Sequence, residues 1–261
     1  AEVIPAYMGL IKQIDDQLGV LFGVMQERGL FENTMIVFTS DHGDYLGDHW
    51  LGEKDLFHEP SVKVPLIVYD PSTQADPARG VVCDALVEAI DLAPTFLEAI
   101  AGDWRGQSHR LEGRSLLPWL RREVPSSWRQ FAVSEYNYAS LPVAEKLDVA
   151  PRDACLFMIT DRRWKLIHAP GFRPMLYDLE SDPHELCDLG ADATCEGERQ
   201  RLAEALGRWG LRLSQRITRS EDQIIATRGR SERRGILIGV WDERELPAEL
   251  WSGYRGKAVD R

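Results

Sequence analysis

Residues 41–59, which read DHGDYLGDHWLGEKDLFHE, contain the densest group of metal-binding side chains in this sequence of 261 residues. Nine carboxylates and imidazoles lie in this segment: Asp41, His42, Asp44, Asp48, His49, Glu53, Asp55, His58 and Glu59. A lysine, Lys54, lies among them. Because carboxylate oxygens and imidazole nitrogens together suit divalent transition metals, the segment predicts a metal site.

Asp41 and His42 are the strongest candidates for metal ligands because of where they lie. They follow the run of residues 35–39, Met-Ile-Val-Phe-Thr, which is short and apolar and predicts a buried strand. Open α/β sheets bind their ligands at the carboxyl ends of such strands. Gly43 would let the backbone turn sharply, so that both side chains reach one ion. An ion there could polarise a phosphoryl or sulfuryl oxygen and stabilise a bound nucleophile.

The same residues also admit other interpretations. A calcium loop of the EF-hand type is excluded, because its third, sixth and twelfth positions would be Gly43, Leu46 and Gly52. In a purely structural interpretation, Asp41 caps a helix, His42 packs against its neighbours and Lys54 is an exposed loop lysine. The residues alone leave that interpretation open.

The elements that would position the segment are helices and strands in alternation. Apolar residues spaced by three and four predict a helix from Pro5 to about Gly29. Residues 64–69 predict a second strand, and residues 91–101, followed by Gly102, predict another helix. Since both strands are apolar on both faces, we expect a parallel sheet. Residues 1–125 therefore predict half of a doubly wound α/β domain.

The pattern changes after Pro125. Short strands are predicted at residues 131–135, 156–160, 164–168 and 175–179, with Asp-Arg, Pro-Gly and Ser-Asp-Pro turns between them. A long helix follows at residues 196–219, so residues 126–219 predict a small antiparallel subdomain with a helix. Residues 220–261 form an arm, rich in arginine and then apolar at residues 236–241, which we expect to lie on a neighbouring chain or on the main domain.

Composition excludes two classes of partner. The net charge of −11 argues against binding to nucleic acid, which needs a basic surface. No apolar stretch approaches the roughly 20 residues that cross a bilayer.

The four cysteines show no C-x-x-C spacing. We interpret them as free thiols in a reducing, cytoplasmic compartment, with a Cys187–Cys195 bridge as the alternative.

Several segments together resemble the sulfatase family of the alkaline phosphatase superfamily, in particular its phosphonate monoester hydrolase branch. These segments are FTSDHGDYLGDHWLGEKDLF, KVPLIVYDP, DLAPTFLEAIAG, LEGRSLLPWL, RRWKLIH and LYDLESDPHELCDL, and they span most of residues 7–210. The resemblance implies an α/β fold, with the C-terminal part of an alkaline-phosphatase-like sheet flanked by helices. It also implies a small antiparallel subdomain.

The resemblance also implies roles for three residues. Asp41 and His42 would be metal ligands, and Lys54 would contact the non-bridging oxygens of the substrate. Family members that bind calcium have Asn where this sequence has His42, whereas the Asp-His pair resembles the manganese branch. We therefore expect one divalent ion, with Mn²⁺ favoured over Ca²⁺. The reaction implied is hydrolysis of sulfate or phosphonate monoesters, extending to phosphodiesters.

One part of the family pattern is absent from this sequence. The family nucleophile is formylglycine, made from the cysteine of C-x-P-x-R, and no such motif or Ser or Thr equivalent occurs here. We therefore expect a C-terminal part whose partner is the N-terminal half of the same enzyme, and we expect no turnover by this chain alone. A periplasmic location also stays open, because a signal peptide would precede Ala1.

The sequence also allows alternative functions. One is a phosphodiesterase or phosphomutase of the same superfamily that uses Thr or Ser, and another is a non-catalytic metal-binding module. The module gains if Asp41, His42 and Lys54 lie apart in the fold. In the phosphonate hydrolase branch the C-terminal extension takes part in oligomer contacts, so we expect a homo-oligomer formed through the arm.

Overall fold

A computed structural model describes residues 3–102, 109–213 and 221–226. The chain divides into two compact units. The first contains residues 3–102 and 111–213 of the described part. The second contains the described residues 109–110 and 221–226, including a short helix Glu221–Ile225. The predicted arm falls almost wholly outside the described residues, as do residues 214–219 of the predicted long helix.

The first unit begins with helix α1 (Val3–Glu27), which the apolar spacing predicted. Gly29 follows at φ 65°, in the left-handed region that glycine adopts without a steric cost. Of the apolar positions along α1, Met25 is 7% exposed, whereas Leu10, Ile11 and Ile14 are 57%, 46% and 52% exposed. The helix therefore presents an apolar face that the described residues leave uncovered.

Strands β1 (Ile36–Thr39) and β2 (Leu66–Tyr69) form an antiparallel pair, with Ile36 opposite Tyr69 and Thr39 opposite Leu66. The expectation that these two strands belong to a parallel sheet was wrong for this pair. A parallel connection needs a crossover of a dozen or more residues, usually a helix. Residues 40–65 contain one short 3-10 helix (Asp48–Trp50) and the four-residue helix α2 (Glu59–Val62). Residues 40–65 therefore form a loop that leaves β1 and enters β2 at the same end of the strand pair.

The chain then continues through helices α3 (Leu92–Ala101) and α4 (Leu117–Leu120). A buried carboxylate fixes the start of α3. Asp91 is fully buried and accepts the backbone N–H groups of Glu88 and Arg114, at 2.9 and 2.7 Å, while the Arg129 guanidinium binds both its oxygens. These bonds join three separate stretches of chain, so Asp91 organises the packing around α3.

The predicted small antiparallel sheet is present. Its strands are β3 (Ala132–Asn137), β4 (Cys155–Thr160), β5 (Trp164–His168) and β6 (Met175–Asp178), paired in sequence order. Helix α5 (Pro142–Lys146) lies between β3 and β4, and α6 (Glu196–Leu213) follows the sheet. The α/β class with an antiparallel subdomain and a long helix is thereby confirmed.

The two faces of this sheet pack against different parts of the chain. Ile159, Leu166 and Leu176 pack with Leu202 and Ala205 of α6. Their strand neighbours Met158, Ile167 and Tyr177 face the other way, because side chains alternate along a strand, and they pack around Phe57. The second face therefore holds the far end of the segment that carries the candidate metal ligands.

Two further expectations concern cysteines and membranes. Cys83, Cys155, Cys187 and Cys195 are all free thiols, so the Cys187–Cys195 bridge is not formed. In the described ranges, no helix has the length and apolar character needed to cross a bilayer.

Candidate active site

Asp41, His42 and Lys54 come together in the loop of residues 40–65. Nζ of Lys54 lies 3.0 Å from Nε2 of His42, and the same Nε2 lies 3.5 Å from Oδ2 of Asp41. Asp41 and His42 follow directly after the carboxyl end of β1, as the sequence predicted. Because the three side chains converge on one atom, the geometry does not favour a module in which they lie apart.

The two ring nitrogens of His42 have different partners. Nδ1 lies 2.8 Å from the carbonyl oxygen of Gly43, which can only accept a hydrogen bond. Nε2 faces the Lys54 ammonium, which can only donate. Both contacts require the neutral tautomer that carries its proton on Nδ1. The Nε2 lone pair is then directed at the point where Asp41 and Lys54 meet, and a histidine that ligates a metal needs this arrangement.

The carboxyl group of Asp41 is ionised at this site. Desolvation raises its pKa, but backbone hydrogen bonds at Asp41 and His42 and a hydrogen bond from the Ser40 hydroxyl together lower the pKa below its usual value. The Asp41 side chain is 85% exposed. An exposed, ionised carboxylate beside an imidazole lone pair can bind a divalent cation without a prior loss of protons.

Gly43 serves the site differently from the expected sharp turn, since its φ lies outside the left-handed region. Its backbone N–H donates to the carbonyl oxygen of Ser61 at 2.7 Å. A Cβ on residue 43 would lie only 1.9 Å from the carbonyl oxygen of Pro60. Glycine is required here because the two ends of the loop, at Gly43 and at Pro60 and Ser61, cross in direct contact. This crossing holds Asp41 and His42 beside α2.

Several of the other potential ligands of residues 41–59 have partners of their own. No group of three or more His, Cys, Asp or Glu side chains in the described part of the chain is arranged to hold a metal ion. Asp44 accepts the backbone N–H of Leu46, and Glu59 pairs with Lys165. The dense acidic segment therefore brings two neighbouring candidate ligands together, Asp41 and His42, whereas Asp44 and Glu59 have structural partners.

His49 and His58 belong to an aromatic cluster inside the loop. Their rings stack with centroids 3.9 Å apart. Nδ1 of His58 lies 2.9 Å from the Tyr45 hydroxyl, and Nε2 lies 3.5 Å from that of Tyr177. Burial, aided by the charges of His49 and Lys165, lowers the pKa of His58 to about 4. His58 is therefore neutral at pH 7, and it links the loop to β6 as a structural group.

The backbone of the loop is strained on the approach to Lys54. Five residues other than glycine have φ in the left-handed region: Leu46, His49, Trp50, Glu53 and Asp55, at 48°, 54°, 59°, 60° and 99°. Conformations of this kind persist only where surrounding contacts impose them, and they gather at active sites. The segment that presents Lys54 is thus held by its surroundings rather than by its own preferences.

One buried group near the site was not identified from the sequence. Lys165 of β5 is fully buried, and its Nζ lies 2.9 Å from the Phe57 carbonyl oxygen, 2.8 Å from Glu59 Oε1 and 2.7 Å from Glu185 Oε1. A sequence signal existed, because Lys165 interrupts the apolar strand WKLIH. Alternation along that strand places it on the same face as Ile167.

An apolar cavity of about 330 Å³ adjoins Asp55, the residue after Lys54. Its walls come from the loop, β3, β4, α5 and the turn after β5: Asp55, Leu56, Tyr136, Tyr138, Leu141, Val143, Leu147, Leu156, Ala169 and Phe172. Leu147 and Phe172 are 48% and 46% exposed. The cavity therefore offers an apolar surface one residue away from the candidate lysine.

Comparisons with known proteins agree with this fold. Residues 1–102 match the family model described as Sulfatase. The chain is 33% identical over 228 residues to the multifunctional alkaline phosphatase superfamily protein PehA of Trinickia caryophylli, a match that covers 85% of this chain and 43% of the relative. It is 32% identical over 186 residues to an arylsulfatase of Clostridium perfringens, covering 70% of this chain and 35% of that protein.

Solved structures show the same relationship. The phosphonate monoester hydrolase of Agrobacterium radiobacter superposes with a TM-score of 0.70 at 32% identity, covering 77% of this chain and 39% of that chain. This chain thus spans less than half of the length of these relatives. It belongs to the sulfatase family of the alkaline phosphatase superfamily and corresponds to the C-terminal part of its sulfatase and phosphonate monoester hydrolase relatives.

Proposed function

We propose that this chain is the C-terminal part of a metal-dependent hydrolase of sulfate or phosphonate monoesters, extending to phosphodiesters. The observation that carries the proposal is the convergence of Asp41 and Lys54 on Nε2 of His42, within 3.5 and 3.0 Å. An anionic ester needs both a cation and a positively charged donor to neutralise its oxygens. Asp41 and His42 supply ligands for the cation, and Lys54 supplies the positively charged donor.

Asp41 and His42 fit a divalent ion because one offers an ionised carboxylate and the other an Nε2 lone pair fixed by the contact of Nδ1 with Gly43. When bound there, the ion would polarise an ester oxygen and stabilise the charge of the nucleophile. We favour Mn²⁺ over Ca²⁺, because calcium prefers an all-oxygen set of ligands, whereas imidazole suits transition metals.

Lys54 would bind the non-bridging oxygens of the ester. An ammonium group about 4 Å from an anionic oxygen contributes on the order of 4 kcal/mol at an effective dielectric constant of 20. That contribution assists catalysis to the extent that charge on the oxygen grows in the transition state. The position of Lys54 is therefore as important as its charge.

The remaining catalytic groups are proposed to come from an N-terminal half of the same enzyme, including a formylglycine nucleophile. No C-x-P-x-R motif occurs in these 261 residues. The uncovered apolar face of α1 supports this partner, because exposed apolar patches of such extent mark interaction surfaces. The apolar cavity beside Asp55 would accept the organic part of the ester.

The proposal extends to assembly and location. We propose a cytoplasmic homo-oligomer in which residues 220–261 contribute to subunit contacts, with neither nucleic acid nor membrane as a partner. The free cysteines are compatible with a reducing compartment. Gel filtration of the complete enzyme after deletion of residues 220–261 tests the assembly, and an unchanged oligomer would contradict it.

The experiment that tests the function compares the complete enzyme with its Lys54→Ala variant on an aryl sulfate and an aryl phosphonate monoester. We expect kcat/KM to fall by roughly 10²–10³-fold, because a donor to the developing charge is removed. The control is Lys146→Ala, which changes an exposed lysine of α5. Equal activity of Lys54→Ala and the unmodified enzyme, or hydrolysis by the 261-residue chain alone, would contradict the proposal.

A further inference from the structure

We propose that Lys165, on the small antiparallel sheet, is a positioning residue for Lys54 and that it acts through Glu185 and Glu59. The inference rests on the function proposed above for Lys54. It assigns the small subdomain a task in catalysis, namely fixing the end of the loop that presents the substrate-binding lysine.

The first observation is that the buried Lys165 ammonium contacts three oxygens. Its Nζ donates hydrogen bonds to the Phe57 carbonyl oxygen and to Glu59 Oε1, at 2.9 and 2.8 Å, and forms an ion pair with Glu185 Oε1 at 2.7 Å. The Lys165 and Glu185 side chains have no exposed surface. A buried ammonium cannot approach substrate, so Lys165 has no direct part in the reaction.

The second observation is that the cluster binds the main chain of the loop at two points. Lys165 donates to the Phe57 carbonyl oxygen, and Glu185 Oε2 accepts the backbone N–H of Glu59 at 2.6 Å. Glu185 itself has φ 53°, a strained conformation for a residue other than glycine. An apolar side chain at position 165 could fill the same space, but it could not hold residues 57–59 in this orientation.

The third observation concerns where the loop is held. Residues 57–59 are bound by the cluster, and Tyr45 is fully buried and contacts His58. The backbone N–H of Tyr45 also donates to the carbonyl oxygen of Glu53 at 3.0 Å. Lys54 therefore lies in a strained stretch that is anchored on both sides. Release of the anchor at residues 57–59 frees the backbone three residues from Lys54.

The test uses a double-mutant cycle in the complete enzyme. Lys165→Met is made alone and together with Lys54→Ala. Because displacement of a catalytic group by about 1 Å can cost on the order of 10²-fold, we expect kcat/KM to fall by roughly 10–100-fold in the enzyme that retains Lys54. We expect Lys165→Met to change the residual activity of the Lys54→Ala enzyme by less than about twofold. Equal losses in both backgrounds, as general unfolding would produce, would overturn the inference.

Two further variants keep the test decisive. Glu185→Gln preserves the shape of the side chain and an oxygen for the Glu59 N–H, and it should reproduce the dependence on Lys54 if Lys165→Met fails to fold. Lys63→Met is the matched control, because Lys63 also pairs with Glu59, at 3.4 Å, but is 78% exposed. Its kcat/KM should stay within about twofold of the unmodified enzyme.

Hydrogen exchange separates failure of the inference from failure of the proposed function. If the complete enzyme hydrolyses none of the esters, the function fails, and amide exchange in residues 45–59 then decides the positioning role alone. We expect faster exchange in this segment for Lys165→Met than for Lys63→Met, with helix α3 unchanged. Equal exchange in the two variants would overturn the role of Lys165.

Discussion

The ammonium nitrogen of Lys54 lies 3.0 Å from Nε2 of His42, although the two residues are twelve positions apart in sequence. The contact depends on the loop of residues 40–65, which connects β1 to β2 at one end of the antiparallel pair. Within that loop, the crossing at Gly43 positions His42, and the contacts of Tyr45 and Phe57 hold the stretch that presents Lys54. The candidate site is thus a property of the folded loop.

Gly43→Ala should destabilise the loop and impair the site. The added Cβ would lie 1.9 Å from the Pro60 carbonyl oxygen. The two loop segments that cross there must therefore separate, and the hydrogen bond from Gly43 to Ser61 must lengthen. We expect a loss of at least about 2 kcal/mol of unfolding free energy, measured by chemical denaturation. Gly52→Ala is the control, because a Cβ there meets no atom within 4 Å. Equal stability of the two variants would show that the crossing is unimportant.

Stability should fall as the pH is lowered from about 6.5 to 4, in part because of His58. Its pKa is about 4 in the folded chain and 6.5 in the absence of the fold. Between these values the unfolded chain binds more protons, so acid favours unfolding. The contribution of His58 is fully present above pH 6.5 and amounts to roughly 3 kcal/mol at most.

The measurement is the unfolding free energy at several pH values for the unmodified enzyme and for His58→Gln. The variant should show a shallower slope between pH 6.5 and 4, because it lacks the titrating ring. His184→Gln, which changes an exposed histidine, should keep the original slope. An identical slope in His58→Gln would rule out this source of the pH dependence.

His42→Asn should shift the metal preference of the complete enzyme toward calcium. The change replaces an imidazole nitrogen with an amide oxygen, and calcium prefers oxygen ligands. Metal content after purification, followed by competition between Mn²⁺ and Ca²⁺, measures the shift. The exposed His168 provides the control variant His168→Asn. Stoichiometric calcium in the unmodified enzyme, with no transition metal, would contradict the expected preference for manganese.

Val143→Trp should reduce the activity toward bulky aryl esters more than toward methyl esters. Val143 of α5 lines the apolar cavity beside Asp55 and is 42% exposed, so a larger side chain can occupy the cavity without entering the core. We expect kcat/KM for a naphthyl ester to fall by about tenfold, since one well-filled apolar contact contributes roughly 1–3 kcal/mol to discrimination. The control is Val124→Trp, at a 73% exposed position away from that cavity. A parallel loss on both esters would exclude the cavity as the subsite for the organic group.

Much of the local structure could be predicted from the sequence. The helix through Tyr7 and Met25, the strand before Asp41 and the four short strands after Pro125 all appear, with ends displaced by a few residues at most. These elements depend on apolar periodicity and on Gly and Pro at their ends, which are local properties. The position of Asp41 and His42 after β1 could be predicted for the same reason.

Three features could not be predicted because they depend on contacts between distant residues. The antiparallel pairing of β1 and β2 is decided by the path of the intervening loop. The sequence could not show which side chains of residues 41–59 are candidate metal ligands and which stabilise the loop. Glu59, for example, pairs with Lys165, which is 106 residues away. Lys165 itself stood out only as a charge within an apolar strand.

The sequence by itself determined the types of secondary structure, the candidate ligands and, through its resemblance to sulfatases, the family. Only the tertiary structure decided that Lys54 meets His42, that Gly43 serves a close crossing, and that a buried lysine of the small sheet holds the loop. The physical reason is that side-chain type and periodicity are encoded locally, whereas hydrogen bonds and burial between distant segments exist only once the chain has packed.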